Sequence, residues 1–465
     1  MQTKPERARM ILGSGFDALT ELAEAYRNPM NSPSMALMVE RPLQPIPAAF
    51  GQDRLPLDWY KARSETLKAR IQQGGMDVVL LGTSINQIYF TGLFRTGDSR
   101  RSWVLLPVAE ANAAHWFSPL LDSELIESWW CSSNTTYFCD PHAADGFPNE
   151  GRVTPGNRVD LFAWMLGHLK ARGFGAAVIG TDMQLTAAEL RVAEAVLPGA
   201  RFVPVAQDCH ALRCRKTPEE IALTQRVYRY FDTLHAFARD YVLTRGTQAT
   251  DFEIGQVMRA FGINLLLQDV ARDGRPHSAV GIDVSANYVR CGPATAYPHP
   301  NQFFCNAVQR GQPLYINSDM YLGGYGGECY RNYQIQPVAP HQEKMWQVVA
   351  DCAEIMVEGC RPGRACSDVA QDVHKYQIAN GMQNYIYHRP GHGVGHNYEG
   401  HQAPCLSLGD ETVIEAGMMF SVEPGLYDVE RGIGVNPSDT VLVTESGGVL
   451  MSRVPFSKEW SFLTL

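Results

Sequence analysis

The sequence predicts an α+β protein: an α/β domain followed by a second domain of long helices and strand-like runs. Three observations carry this. The chain has 465 residues, room for two domains of ordinary size. In its first half, short apolar runs alternate with amphipathic stretches, the mark of strands interleaved with helices. Near residues 212–221 that alternation gives way to a capped, long helical segment.

Residues 1–54 read as an irregular arm, because Pro29, Pro33, Pro42, Pro45 and Pro47 interrupt any long helix. Residues 55–208 read as the first domain. Residues 59–74 form an amphipathic helix with Leu67 and Ile71 four apart, stopped by Gly74-Gly75. Residues 78–82, 103–107 and 176–180 are short apolar strands, and a helix starts near Arg158 and runs toward Arg172. Residues 209–465 read as the second domain. Thr217 is its first N-cap, Pro218 the first helical residue, and Glu220 takes the capping-box position three residues on. Further helices are expected around 252–261 and 342–358, and strands around 313–317 and 419–422.

Composition excludes several function classes. Apolar residues make up 45% and charged residues 19%, an ordinary globular balance, and the net charge of -9 opposes a nucleic-acid or anionic-membrane partner. No run reaches the roughly 18 apolar residues of a membrane span, and the polar start Met1-Gln2-Thr3-Lys4-Pro5-Glu6-Arg7 lacks a signal-peptide pattern. The eleven cysteines are scattered without CxxC pairs, which reads as reduced thiols and a cytoplasmic address.

Several blocks stand in a fixed order from Ile85 to Glu445. They are Ile85-Asn86-Gln87-Ile88-Tyr89-Phe90-Thr91-Gly92, the entry around Arg215-Lys216-Thr217-Pro218-Glu219-Glu220-Ile221, and Cys291-Gly292 followed by Pro298-His299-Pro300. Then come Gly391-His392-Gly393-Val394-Gly395, Phe420-Ser421-Val422-Glu423-Pro424-Gly425, and Asp439-Thr440-Val441-Leu442-Val443-Thr444-Glu445. Together they resemble the signature of the pita-bread superfamily of methionine aminopeptidases, prolidases, aminopeptidases P and creatinases. The resemblance implies a creatinase-like N-terminal α/β domain, a C-terminal pita-bread catalytic domain and a homodimer.

In the metal-dependent members, five side chains hold two cations: two aspartates, a histidine and two glutamates. By the same resemblance Glu328 takes the second aspartate's place, His392 the histidine's and Glu423 the first glutamate's. The other two places are neutral. Counting back eleven residues from Glu328 gives Asn317, and Ser438 stands where the last block usually has glutamate. Losing two negative charges disfavours a pair of hard dications, so the expected cofactor is none. The alternative is a single divalent iron, manganese or zinc on Glu328, His392 and Glu423, with Asp319 or Asp439.

The function this resemblance implies is a creatinase-like, metal-independent hydrolase that cleaves a C–N bond in a small polar metabolite. His299 would be acid and base, with His392, His401, Glu328 and Glu423 completing the catalytic set, because imidazoles beside carboxylates suit proton transfer near neutral pH. Arg100 or Arg101 would bind a substrate carboxylate from a neighbouring subunit, and Asn317 and Tyr325 would line the substrate site. The alternative is a mononuclear metal enzyme, either a dimethylsulfoniopropionate-type lyase acting by β-elimination or an Xaa-Pro peptidase. A non-catalytic binding module is the third class. Glu399, seven residues after His392, competes with His401 for the second histidine's place. His388 and His396 read as hydrogen-bonded structural histidines, and Cys329 and Cys405 as buried thiols.

Overall fold

The computed structural model describes residues 32–41, 54–94, 100–138, 145–148, 159–267, 282–285, 289–299, 305–396 and 400–465. Most of the expected arm, and Glu399, lie outside the described residues. The chain divides into two compact units, one centred on Asp53–Arg213 and the other on Cys214–Val270 and Ile282–Leu465.

The first unit is built on a mixed sheet of eight strands: β1 (Val78–Leu81), β2 (Trp103–Pro107), β3 (His115–Pro119), β4 (Ser133–Phe138), β5 (Asp145–Pro148), β6 (Val159–Asp160), β7 (Val178–Thr181) and β8 (Arg201–Pro204). The spatial order is β6-β5-β4-β3-β2-β1-β7-β8. Every residue of β1 is buried, as expected of a continuous apolar run inside a sheet covered on both faces. Helix α1 (Leu57–Gln73) runs where the period predicts it and stops at Gly74. Most of the Ile85–Gly92 block forms helix α2 (Ser84–Thr91), which ends at Gly92 with a φ of 75°. Its start is fixed by Asp182, whose carboxylate accepts from Gly82 N at 2.7 Å and Asn86 Nδ2 at 2.8 Å. Helix α3 (Leu161–Leu169) is capped by Asp160 and packs Phe162, Met165 and Leu166 onto Trp103, Leu105 and Phe117.

The second unit opens with α4 (Pro218–Arg245). Its expected capping box is present: Thr217 Oγ1 accepts from Glu220 N, and the Glu220 carboxylate accepts from Thr217 N. Helix α5 (Asp251–Leu267) follows, then a sheet made of β9 (Ile282–Ser285), β10 (Arg290–Cys291), β11 (Pro313–Leu322), β12 (Tyr325–Ile335) and a strand at Phe462–Leu463. Helices α6 (Pro340–Gly359) and α7 (Cys366–Ala379) pack against a second sheet, formed by β13 (Gly393–Val394), β14 (His401–Gln402), β15 (Met419–Ser421), β16 (Thr440–Thr444) and β17 (Gly447–Leu450). A pair of short strands, Leu426–Asp428 and Ile433–Val435, completes the fold. Helix α7 has no counterpart among the sequence expectations. Part of the N-terminal segment belongs to this unit, since Ser32 Oγ donates to Asp240 of α4 at 2.5 Å and Val39 N donates to Arg453 O at 2.9 Å. Among the described residues no helix is long and apolar enough to cross a membrane.

The β11–β12 hairpin determines which side chains reach the site. Its register pairs Asn317 with Tyr330 and Asp319 with Glu328. Because side chains alternate across a strand, residues 315, 317, 319, 321, 328 and 330 share one face. Residues 318, 329 and 331 share the other, which α4 covers: His235 Nε2 lies 2.8 Å from Cys329 O and 3.0 Å from Ser318 Oγ. Burial pushes that imidazole down to about 3, so His235 is a neutral packing group.

Candidate active site

The first face of the hairpin forms one wall of a cavity of about 340 Å³. Tyr315, Asn317, Asp319, Tyr321, Glu328 and Tyr330 line it, and His299, His392, His401 and Glu423 close it. That volume lies at the low end of the roughly 300–1,000 Å³ of ordinary ligand sites, so it suits a small molecule.

Backbone pairing places each group. A two-residue bridge, Tyr330 N to Ser438 O at 2.8 Å and Ser438 N to Tyr330 O at 3.1 Å, joins the hairpin to the second sheet. His392 is fixed by its carbonyl, which accepts from Ser421 N at 2.7 Å, and by its own N–H, which donates to Ser421 Oγ at 3.1 Å. Its neighbours must be glycine. A Cβ on Gly391 would lie 2.3 Å from Ser421 O, and one on Gly393 would lie 2.6 Å from Gln402 O. The glycines therefore serve the close approach of neighbouring backbone. Glu423 is held by Glu423 N to Pro390 O at 2.8 Å, and Asn436 Nδ2 donates to its Oε1 at 2.9 Å.

The electrostatics centre on Glu328, His392 and Glu423. Both oxygens of Glu328 accept from hydroxyls, Oε1 from Ser438 Oγ at 2.7 Å and Oε2 from Tyr330 Oη at 2.5 Å. Burial opposes ionisation of Glu328, but His392 and these two hydroxyls outweigh it and hold the carboxyl at about 2. Nε2 of His392 lies 3.5 Å from Glu328 Oε1 and 3.7 Å from Glu423 Oε2. That atom has no hydrogen-bond partner, so the attraction is ionic rather than a directed bond. Burial works against the imidazolium, yet Glu328 and then Glu423 raise its pKa above the ordinary value. Glu423 goes the other way: burial, and then the charge of Glu328, push it up to about 7. His401 lies against His392 with ring centres 4.0 Å apart and planes tilted by 37°, and burial followed by the His392 charge lowers its pKa, which favours the neutral form at pH 7. The site thus holds an anionic carboxylate, a carboxyl poised near neutrality and one neutral imidazole.

The donor set fits one metal ion. Ligand atoms of Glu328, His392 and His401 lie within 4.8 Å of one another, and a carboxylate with two imidazoles suits a borderline divalent ion. Asn317 Oδ1, which also has no hydrogen-bond partner, lines the same cavity. The expectation of no metal therefore has no support from these residues. Among the described residues no second cluster of this kind is found. Asn317 is neutral, and the Ser438 hydroxyl donates its proton to Glu328, supplying a hydrogen bond where a second ligand carboxylate would supply charge.

Two expectations are overturned. Tyr325 is absent from the described cavity wall: it points toward α4, where its hydroxyl donates to Glu220 Oε1 at 3.1 Å. Parity explains this, since 325 lies an odd number of residues from 328. Asp439 cannot be a metal ligand, because it is fully buried in an ion pair with Arg331 at 2.7 Å and accepts from Ser452. Asp319 does line the cavity and accepts from Tyr330 Oη at 2.9 Å. Arg100 and Arg101 lie in the first unit, where Arg101 is ion-paired to Glu189 at 2.7 Å. His299 lines the cavity from an exposed position. His388 is hydrogen-bonded to Tyr427 Oη at 2.9 Å, and Cys329 is buried with its thiol pushed up by burial. Sequence reading missed Arg290, Tyr315 and Asn436 in the cavity wall. Tyr315 had a findable signal, the same strand parity as Asn317. Arg290 and Asn436 had none.

Comparison with known proteins agrees with this architecture. Residues 234–445 match metallopeptidase family M24. The chain is 26% identical over 257 residues to the putative dipeptidase YkvY of Bacillus subtilis, covering 55% of this chain and 65% of that protein. It is 23% identical over 384 residues to the Xaa-Pro dipeptidase of Lactobacillus helveticus, covering 82% of this chain and 94% of the other. The crystal structure of dipeptidase PepE from Mycobacterium ulcerans superposes with a TM-score of 0.67 at 20% identity, over 89% of this chain and all of that one. At that identity the superposition establishes the fold.

Proposed function

This chain belongs to the pita-bread metallopeptidase superfamily, and from that premise we propose that it hydrolyses the C–N bond of a small peptide, using a site with room for at most one divalent cation. The observation that carries the reading is the pairing of Glu328 and Glu423 around His392 inside a cavity of about 340 Å³. The dipeptidases among its relatives favour a peptide over a guanidino metabolite, and they lend nothing to the elimination reaction. The homodimer is part of the same proposal.

The residues divide the work as follows. Glu328, His392 and His401 would hold the ion, which supplies Lewis-acid polarisation of a carbonyl or of water. Glu423, pushed to about 7, accepts a proton from the attacking water. The water oxygen bonds to the amide carbon, the C–N bond breaks, and Glu423 returns the proton to the leaving nitrogen. Tyr330 and Ser438 orient Glu328 through its two oxygens. His401, neutral, and His299, at the exposed edge, face the substrate, and Asn317 offers an amide within the wall.

The test is a panel of dipeptides, including Xaa-Pro, assayed with purified protein before and after chelation, with elemental analysis alongside. Hydrolysis with no more than one bound ion per chain is expected. Two stoichiometric ions, or no turnover of any dipeptide, would refute the reading. A pH profile gives a second check. The base form of Glu423 grows as pH rises through its pKa, so kcat/KM should climb with an apparent pKa near 7. Glu423→Gln removes the proton carrier and should lower kcat by about 10²–10⁴-fold. A flat profile between pH 5 and 9 would exclude Glu423 as the base.

A further inference from the structure

The cavity contains a buried cation that the hydrolytic chemistry leaves unused. Arg290 is only 4% exposed, yet it lines the same cavity as Asp319, Glu328 and Glu423. It sits on β10 opposite Tyr315, and its guanidinium carbon lies 4.3 Å from the centre of that ring. One end of the fork, Nη1, donates to the carbonyls of Tyr297 and Pro298, the second at 3.3 Å. Its Nε is buried without a hydrogen-bond partner. Among the described residues its hydrogen-bond partners are these neutral carbonyls, and no carboxylate pairs with it.

A guanidinium taken out of water with no counter-ion is unfavourable, and Arg in protein interiors is normally paired. Another buried arginine, Arg331, shows the contrast. Arg331 meets Asp439 at 2.7 Å and donates to Tyr330 O, Ser438 O and Val454 O. Arg290 has a comparable burial and no such anion. Its ring contact and its two carbonyl contacts fix the guanidinium in place before any ligand arrives, so little side-chain freedom is lost on binding. A planar fork with donors still unused matches a carboxylate.

We propose that Arg290 is the anchor for a substrate carboxylate, so that the enzyme selects small peptides with a free C-terminal carboxylate. This rests on the reading of the site as a peptide hydrolase. The anchor gives the cavity a polarity. The carboxylate end is drawn to Arg290, while Asp319, Glu328 and Glu423 repel it from their own positions. In a cavity of about 340 Å³, that leaves room for a short peptide in one direction. This role differs from the one expected of Arg100 or Arg101, because the cation comes from the wall of the cavity itself.

The experiment compares a dipeptide with its C-terminal amide, by steady-state kinetics and by calorimetric binding, using the full-length protein. Wild type should favour the free acid by about 30-fold or more in kcat/KM, the range for truncating one partner of a buried charge pair. Arg290→Gln should bring that ratio close to one, with the loss falling mainly on KM of the acid. Arg290→Lys keeps the charge without the fork and should give an intermediate ratio. A wild-type enzyme that handles acid and amide alike overturns the proposal with no variant needed. So does an Arg290→Gln protein with the wild-type ratio, or one that loses both substrates equally. If neither compound is hydrolysed, the peptidase reading fails, while calorimetric preference for the acid would still support the anchor.

Discussion

Writing carboxylates back at both neutral positions, Asn317→Asp together with Ser438→Glu, is expected to raise bound divalent cation from no more than one equivalent to two. The argument is one of charge and position. Asn317 lies on the cavity face of β11, and its amide oxygen has no hydrogen-bond partner. Ser438 lies across the two-residue bridge from Tyr330, with its hydroxyl 2.7 Å from Glu328. Ser438 therefore already meets Glu328, and Asn317 lines the same cavity. Two added charges beside Glu328 and Glu423 would repel one another without cations, so the double variant should melt lower than wild type after chelation and recover when manganese is added. Elemental analysis and thermal melting read this without reference to activity. An unchanged metal content would show that charge is not what limits the site. Since Glu328 and Glu423 raise the His392 pKa and a metal needs the neutral imidazole, the affinity of the wild-type site should also fall as pH drops.

The second large effect is on stability. Asp439→Asn should destabilise the second unit by about 3–5 kcal/mol, the usual result of removing one partner from a buried ion pair. Arg331 is 1% exposed and Asp439 fully buried, so the abandoned guanidinium would have no solvent to turn to. Arg331 also donates to the carbonyls of Tyr330, Ser438, Pro455 and Val454, and its guanidinium carbon stacks 3.9 Å from the centre of the Phe456 ring. Replacing both partners with apolar groups should therefore not restore stability, because those carbonyls would be left unpaired. Chemical denaturation of Asp439→Asn, and of the double variant Arg331→Met with Asp439→Leu, checks this. A loss below about 1 kcal/mol in the single variant would contradict it, since that is the scale of an exposed pair.

Part of the site was readable in advance because short motifs carry it. His392 lies between glycines that the adjoining strands require, Glu423 lies inside the block Phe420–Gly425, and Glu328 was placed by the same resemblance. The capping box at Thr217 and Glu220 was readable because it is local, set within four residues. Tyr325 and Asp439 were misjudged for one shared reason. Each lies close in sequence to a site group, Tyr325 three residues from Glu328 on the same strand and Asp439 next to Ser438, whose hydroxyl bonds Glu328, but faces the other way. Period-two alternation sends neighbours to opposite faces, and strand boundaries were not fixed well enough to apply it. Helix α7 escaped notice because it lies between recognised blocks and carries no motif of its own.

By itself the sequence determined the α+β class and the order of the blocks, because both are written in residue type and short spacing. Only the tertiary structure decided which side chains share the cavity. Arg290, Asn436 and Glu423 come from separate segments, and the hydroxyls on Glu328 come from Tyr330 and Ser438, 108 residues apart. Their meeting depends on sheet register and on the bridge between the two sheets. Register is a property of paired backbones, and no single stretch of chain encodes it.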